Sequence, residues 1–145
     1  MGKRRESRII AMKALYMYEV LKDDDIERLV DDVIEYEKFP KDDVREYALN
    51  IAKKVVLKMK TLNSIIENST KNWTIHRMAV IDRNILRIAL IEILMQDKVP
   101  DIVAIDEAIE IAKEYSTDDS GGFVNGILDH VAKNKEHFTK LISEE

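Results

Sequence analysis

Four of the first eight residues are cations, Lys3, Arg4, Arg5 and Arg8, and Glu6 is the only acid among them. A block of this kind neutralises phosphates, with an affinity that falls as salt rises and that is independent of base sequence. Arginine planes also stack on unpaired bases. Tyr16 and Tyr18 follow on the same expected helix, where a ring is either core or a stacking platform beside the cations. A solvated terminus with no ligand accounts for the charges equally well.

Other chemistries find little support. His76, His130 and His137 fall on different expected helices or in the tail, with no HExxH spacing, and read as surface or boundary histidines. There is no cysteine, which removes disulfides, thiolate nucleophiles and Cys-ligated zinc, and fits a reducing cytoplasm. Gly121-Gly122-Phe123-Val124-Asn125-Gly126 places glycines at a helix start, where amides can hold phosphate. It lacks both the GxxxxGK[ST] pattern and a preceding strand, so no nucleotide loop is expected. The chain is therefore read as a non-enzyme, with neither metal nor cofactor.

The elements that would position these residues follow from apolar spacing, which is helical almost everywhere and nowhere strictly alternating. The fold class is all-α, with about seven helices. One helix runs from about Ser7 to Leu21, and a second carries Ile26, Leu29, Val30, Val33 and Ile34 until Pro40. A single long helix continues the stripe through Val44, Tyr47, Ile51, Val55, Met59, Leu62 and Ile66. The polar stretch Asn68 to Asn72 then divides the chain into helical subdomains over 1–70 and 71–145, with Trp73 near the joint. The run Ile85 to Met95 is apolar on nearly every side, so it belongs in the middle of a bundle. Arg87, inside that run, must be paired, with Asp82 or Glu92 in reach, or must extend to the surface as a contact. Further helices are expected through Ile102 to Glu114 and Phe123 to Val131, with Phe138, Leu141 and Ile142 adding a short one.

Four runs of the second half are distinctive together. Asn84-Ile85-Leu86-Arg87-Ile88-Ala89-Leu90 leads to Val99-Pro100, then to Ile105-Asp106-Glu107-Ala108-Ile109-Glu110-Ile111-Ala112-Lys113, and then to Phe123-Val124-Asn125-Gly126-Ile127-Leu128-Asp129. In this order and spacing, with an arginine-rich start and Ala14-Leu15-Tyr16, the chain resembles the NusB transcription antitermination family over essentially its whole length. The resemblance implies two roughly perpendicular helical bundles and binding of boxA RNA in nascent ribosomal or phage transcripts. It also implies NusE, the small-subunit ribosomal protein, as partner, and RNA polymerase as the indirect beneficiary. Residue by residue, it implies RNA contacts for Lys3, Arg4, Arg5, Arg8, Tyr16, Arg87, Asp119 and Phe123. Asp82, Arg83 and Phe123 fall where the family meets NusE. Gly121-Gly122 departs from the more polar or basic pair before FVNG, and the basic arm is short and carries Glu6.

Two other functions fit the same pattern: an accessory RNA-binding domain like those fused to RNA cytosine methyltransferases, or a bundle that binds only protein. No Rossmann-type domain lies within the 145 residues. Whether an apolar face serves NusE or a second copy in a homodimer is left open.

Charge sharpens the RNA reading. Lys plus Arg number 23 against 28 for Asp plus Glu, a net charge of −5, yet the first eight residues carry +3 and leave −8 on the remainder. A body this acidic repels RNA outside one designated face, which suits a short-site binder and not a coat. No run of 18 apolar residues offers a membrane span, and no apolar segment follows the basic start as a secretory signal would.

Overall fold

The computed structural model describes residues 2–71 and 73–144, so Asn72, the last residue of the expected polar break, lies outside it. The described residues are helical throughout, without a strand, and form two compact units, Met1–Leu57 and Lys58–Glu145.

The first unit holds α1 (Lys3–Val20), α2 (Ile26–Glu37) and α3 (Lys41–Leu57), packed pairwise. Each presents one apolar stripe to the others: Ile9, Ile10, Met12 and Leu15 from α1, Leu29, Val30, Val33 and Ile34 from α2, and Val44, Ala48, Ile51 and Val55 from α3. The Asp25 carboxylate caps α2 by accepting from the Arg28 amide at 3.2 Å. Lys38 ends it in the left-handed region at φ 59°, before Pro40 opens the next helix. Outside the core, Arg45 on α3 donates to Asp31 at 2.6 Å and to Glu27 at 2.8 Å, both on α2, and Lys53 approaches Glu27 at 3.5 Å.

The hydrogen bond from Arg45 holds the Asp31 carboxyl below its ordinary range, and Arg45 with Lys53 does the same for Glu27. Folded-state values that lie below the unfolded ones give stability that is complete above about pH 5, begins to fall near the unfolded values and is lost as pH drops through the depressed ones. Arg45→Met should therefore narrow the gap in urea midpoint between variant and wild type as pH drops below about 4. A gap that stays constant down to acid pH would show that the network contributes nothing through charge.

The second unit holds α4 (Met59–Asn68), a single 3-10 turn (Ile75–Arg77), α5 (Val80–Leu94), α6 (Asp101–Tyr115), α7 (Ser120–Lys133) and α8 (Lys135–Ser143). As its unbroken apolar run requires, α5 is the central element: every residue from Asn84 to Leu94 is buried, and the helix packs against α4, α6, α7 and α8. The tail does form a helix, with Phe138 and Ile142 buried. His130 and His137 meet the Phe138 ring edge-to-face at 5.9 and 5.0 Å, which places these two histidines at the core boundary.

The expected long helix is in fact two. It breaks at Lys58, whose backbone lies at φ −106°, ψ 17°, and the division between the units falls there and not near residue 70. Trp73 accordingly lies within the second unit. Periodicity could not show the break, because Val55 and Leu62 are buried on either side of it at helical spacing and Leu57-Lys58-Met59 contains no helix breaker.

Candidate nucleic-acid interface

The basic block is not an arm but the first two turns of α1, which begins at Lys3. Two contacts hold this end onto α3. The Ser7 hydroxyl, buried, lies 3.2 Å from the Val44 carbonyl, and the Arg4 guanidinium sits 3.9 Å from the centroid of the Tyr47 ring. Lys3 also reaches Asp43 at 3.3 Å, an exposed pair of little energetic weight. Lys3 and Arg4 are exposed and Arg5 is partly so, while Tyr16 farther along α1 keeps 41% of its surface open.

A helix N-terminus carries the positive end of the backbone dipole, so cations there are disfavoured by roughly 0.3–1 kcal/mol each. Three cations in the first turn, above the Gly2 cap that offers no side chain, make a concentrated positive site whose natural complement is an anion.

Arg8 differs from its neighbours. It is only 4% exposed, because i, i+4 and i+7 spacing puts it on the stripe of Met12 and Leu15, both buried. Its place is in the packing, and the reading of it as a phosphate contact is corrected.

In the second unit, Arg87 is 2% exposed and is likewise no surface contact. Its Nε donates to the Asn63 side-chain carbonyl at 2.9 Å and its Nη1 to that of Asn84 at 2.8 Å. Amide oxygens, which the sequence reading did not consider, thus take up donors of a buried cation. Asn84 stands three residues before Arg87 on the same helix face, a signal open to inspection; Asn63 lies on α4, out of reach of any local pattern.

Asp82 is also buried, at 8% exposure, and accepts from the Ser120 hydroxyl at 3.0 Å, tying α5 to the start of α7. Ser116 and Thr117 crowd the same hydroxyl at 3.0 and 2.9 Å. Arg83 donates to the Ile75 and Met78 carbonyls at 2.8 and 3.4 Å, which clamps the turn before α5. Asp82 and Arg83 thus brace the second unit. Asp119 is exposed just ahead of α7, and Phe123, half-buried on its first turn, meets the exposed Trp73 ring edge-to-face at 6.3 Å. Trp73 and Tyr47 are the two rings at these sites that residue types alone did not assign to them.

Among the described residues no cluster of three or more His, Asp or Glu side chains could hold a metal ion, and no helix is long and apolar enough to cross a membrane. The exposed chemistry is a cationic helix end and, in the other unit, an aromatic pair.

Comparison with known proteins agrees with this geometry. Transcription antitermination protein NusB of Acetivibrio thermocellus is 41% identical over 132 residues, covering 91% of this chain and 90% of the relative. The structure of Thermotoga maritima NusB superposes with a TM-score of 0.83 at 34% identity, over 97% of this chain and 98% of that one. A crystal structure of the antitermination factors NusB and NusE in complex with double-stranded RNA gives a TM-score of 0.82 at 25% identity, over 92% and 98%. The model of the NusB family matches residues 5–133, which takes in every helix described above except α8 and the first residues of α1, and this chain therefore belongs to the NusB family.

Proposed function

We propose that this chain is a transcription antitermination factor that binds the boxA element of nascent ribosomal RNA together with NusE, and so helps RNA polymerase pass terminators. The observation that carries the reading is the cationic first turn of α1, exposed on a chain whose net charge is −5. Lys3, Arg4 and Arg5 supply phosphate contacts and Tyr16 offers a ring face to an unpaired base; in the second unit Phe123 offers another, with Asp119 close by at the head of α7. Phe123 and the turn braced by Asp82 and Arg83 face NusE. Relatives named as antitermination proteins, and a similar structure solved with NusE and RNA, support the assignment.

Binding of NusE and of RNA should reinforce each other, with a coupling on the order of 1–3 kcal/mol, or about 5- to 150-fold in affinity. Titration of labelled boxA and scrambled RNA, each with and without NusE, measures this. The expected result is a preference for boxA that sharpens with NusE present; equal affinity for the two RNAs in the presence of NusE overturns the proposal. A bundle that binds only protein predicts no RNA binding at all in the same titration.

A further inference from the structure

Trp73 is the single tryptophan of the chain and remains 49% exposed. Other large apolar side chains such as Leu21, Tyr36, Leu57 and Ile102 are exposed too, but Trp73 alone among them packs edge-to-face on a second aromatic ring in the contacts described above. The turn that follows it is fixed by two neighbouring helices. The Glu67 carboxylate accepts from the Ile75 amide at 2.7 Å, Arg83 donates to the Ile75 and Met78 carbonyls, and the Ile75 and Met78 side chains are buried. The turn from Ile75 to Met78, two residues past the ring, is therefore clamped between α4 and α5.

Its contact with Phe123 is edge-to-face, with the planes at 73°. In that arrangement each ring keeps at least one face that the other does not cover. The space beside Phe123 is also open. A Cβ added to Gly122 would meet nothing within 4 Å, Asn125 is exposed one turn away, and Lys71 and Arg77, which flank Trp73 in the sequence, are exposed. Flat aromatic faces interleaved with cations and an amide suit a nucleobase, because every base has a π-face and stacking tolerates any sequence.

Resting on the RNA-binding reading above, we propose that Trp73 and Phe123 together form a stacking platform that takes one unpaired base of the bound RNA, with Trp73 its principal face. Asp118 and Asp119, exposed at the head of α7, repel phosphate, so the platform receives a base and leaves the backbone outside. This separates it from the end of α1, where the contact is ionic.

The separation makes a test. Trp73→Leu should weaken boxA binding about 5- to 100-fold, the range that base–aromatic stacking covers, without changing the dependence of affinity on salt. Trp73→Phe should retain most of the affinity. Because the chain has one tryptophan, wild-type emission should be quenched on boxA binding, with the Trp73→Phe chain as blank, and this reading stands even if Trp73→Leu folds poorly. Specific boxA binding with no quenching and no loss in Trp73→Leu overturns the platform and leaves the proposed function intact. Quenching by NusE alone, with RNA affinity unchanged in the variant, would make the pair a protein contact and overturns it too. Absence of any boxA preference removes both proposals together.

Discussion

Reversing two charges, Arg4→Glu with Arg5→Glu, should lower affinity for boxA RNA on the order of 10-fold or more at moderate salt. The salt dependence should flatten by about 0.7 per lost phosphate contact, hence about 1.4 for the pair on a single strand. The fold should survive the change. Arg4 gives up its contact with Tyr47, worth roughly 0.5–1 kcal/mol at an exposed site. Against that, two carboxylates enter the first turn of a helix, where the dipole favours each by about 0.3–1 kcal/mol. Removing the two cations from that turn contributes a similar amount again, so the dipole gain exceeds the lost ring contact and the thermal midpoint should hold or rise slightly while RNA binding collapses and NusE binding persists. Titration at three or more salt concentrations, beside a thermal melt, checks both halves. An unchanged salt slope would show that this end of α1 never meets phosphate.

Arg87→Ala should do the opposite, lowering stability and sparing the interface. The substitution strands the Asn63 and Asn84 carbonyl oxygens in a buried site and leaves a cavity beneath α5. Hydrogen bonds to a charged group contribute about 1.5–3 kcal/mol each, and Arg87→Ala removes two of them. A loss of about 3–5 kcal/mol lowers the melting midpoint of a domain this size by roughly 10–20 °C. RNA affinity of the folded fraction, measured well below the midpoint, should stay near that of the wild type. A variant that melts normally but no longer binds RNA would return Arg87 to the interface.

These two arginines show what a linear reading can reach. Helix positions came directly from apolar periodicity, and the central place of α5 followed from its lack of a polar face. That Arg87 needed partners was also legible, since no buried cation goes unmatched. That Asn63 would be one of them was not: the fold of α4 onto α5 brings it there. Arg8 shows a different gap. Charge clustering grouped it with Lys3, Arg4 and Arg5, whereas its helical phase, shared with Met12 and Leu15, already assigned it to the core. Phase outranks proximity in sequence once a helix starts at Lys3 instead of Ser7. The break at Lys58 lay beyond any local rule, because the residues around it are good helix formers. The Trp73–Phe123 pair joins positions far apart in the chain, and only the turn between α4 and α5 brings them together.

The cation-first α1 has a consequence for motion as well as for charge. Its opening turn begins without a side-chain cap, at Gly2, and holds its positive residues against its own dipole, so it should be the first part of the helix to fray. A polyanion seated there relieves the repulsion and favours the closed turn. By reciprocity, whatever stiffens that turn must tighten the grip on the anion by the same factor. Amide exchange at Glu6, whose N–H donates to the Gly2 carbonyl at 3.1 Å, would then be fast in the free protein and slow in the complex, so that the end of the helix records its ligand as a gain in order.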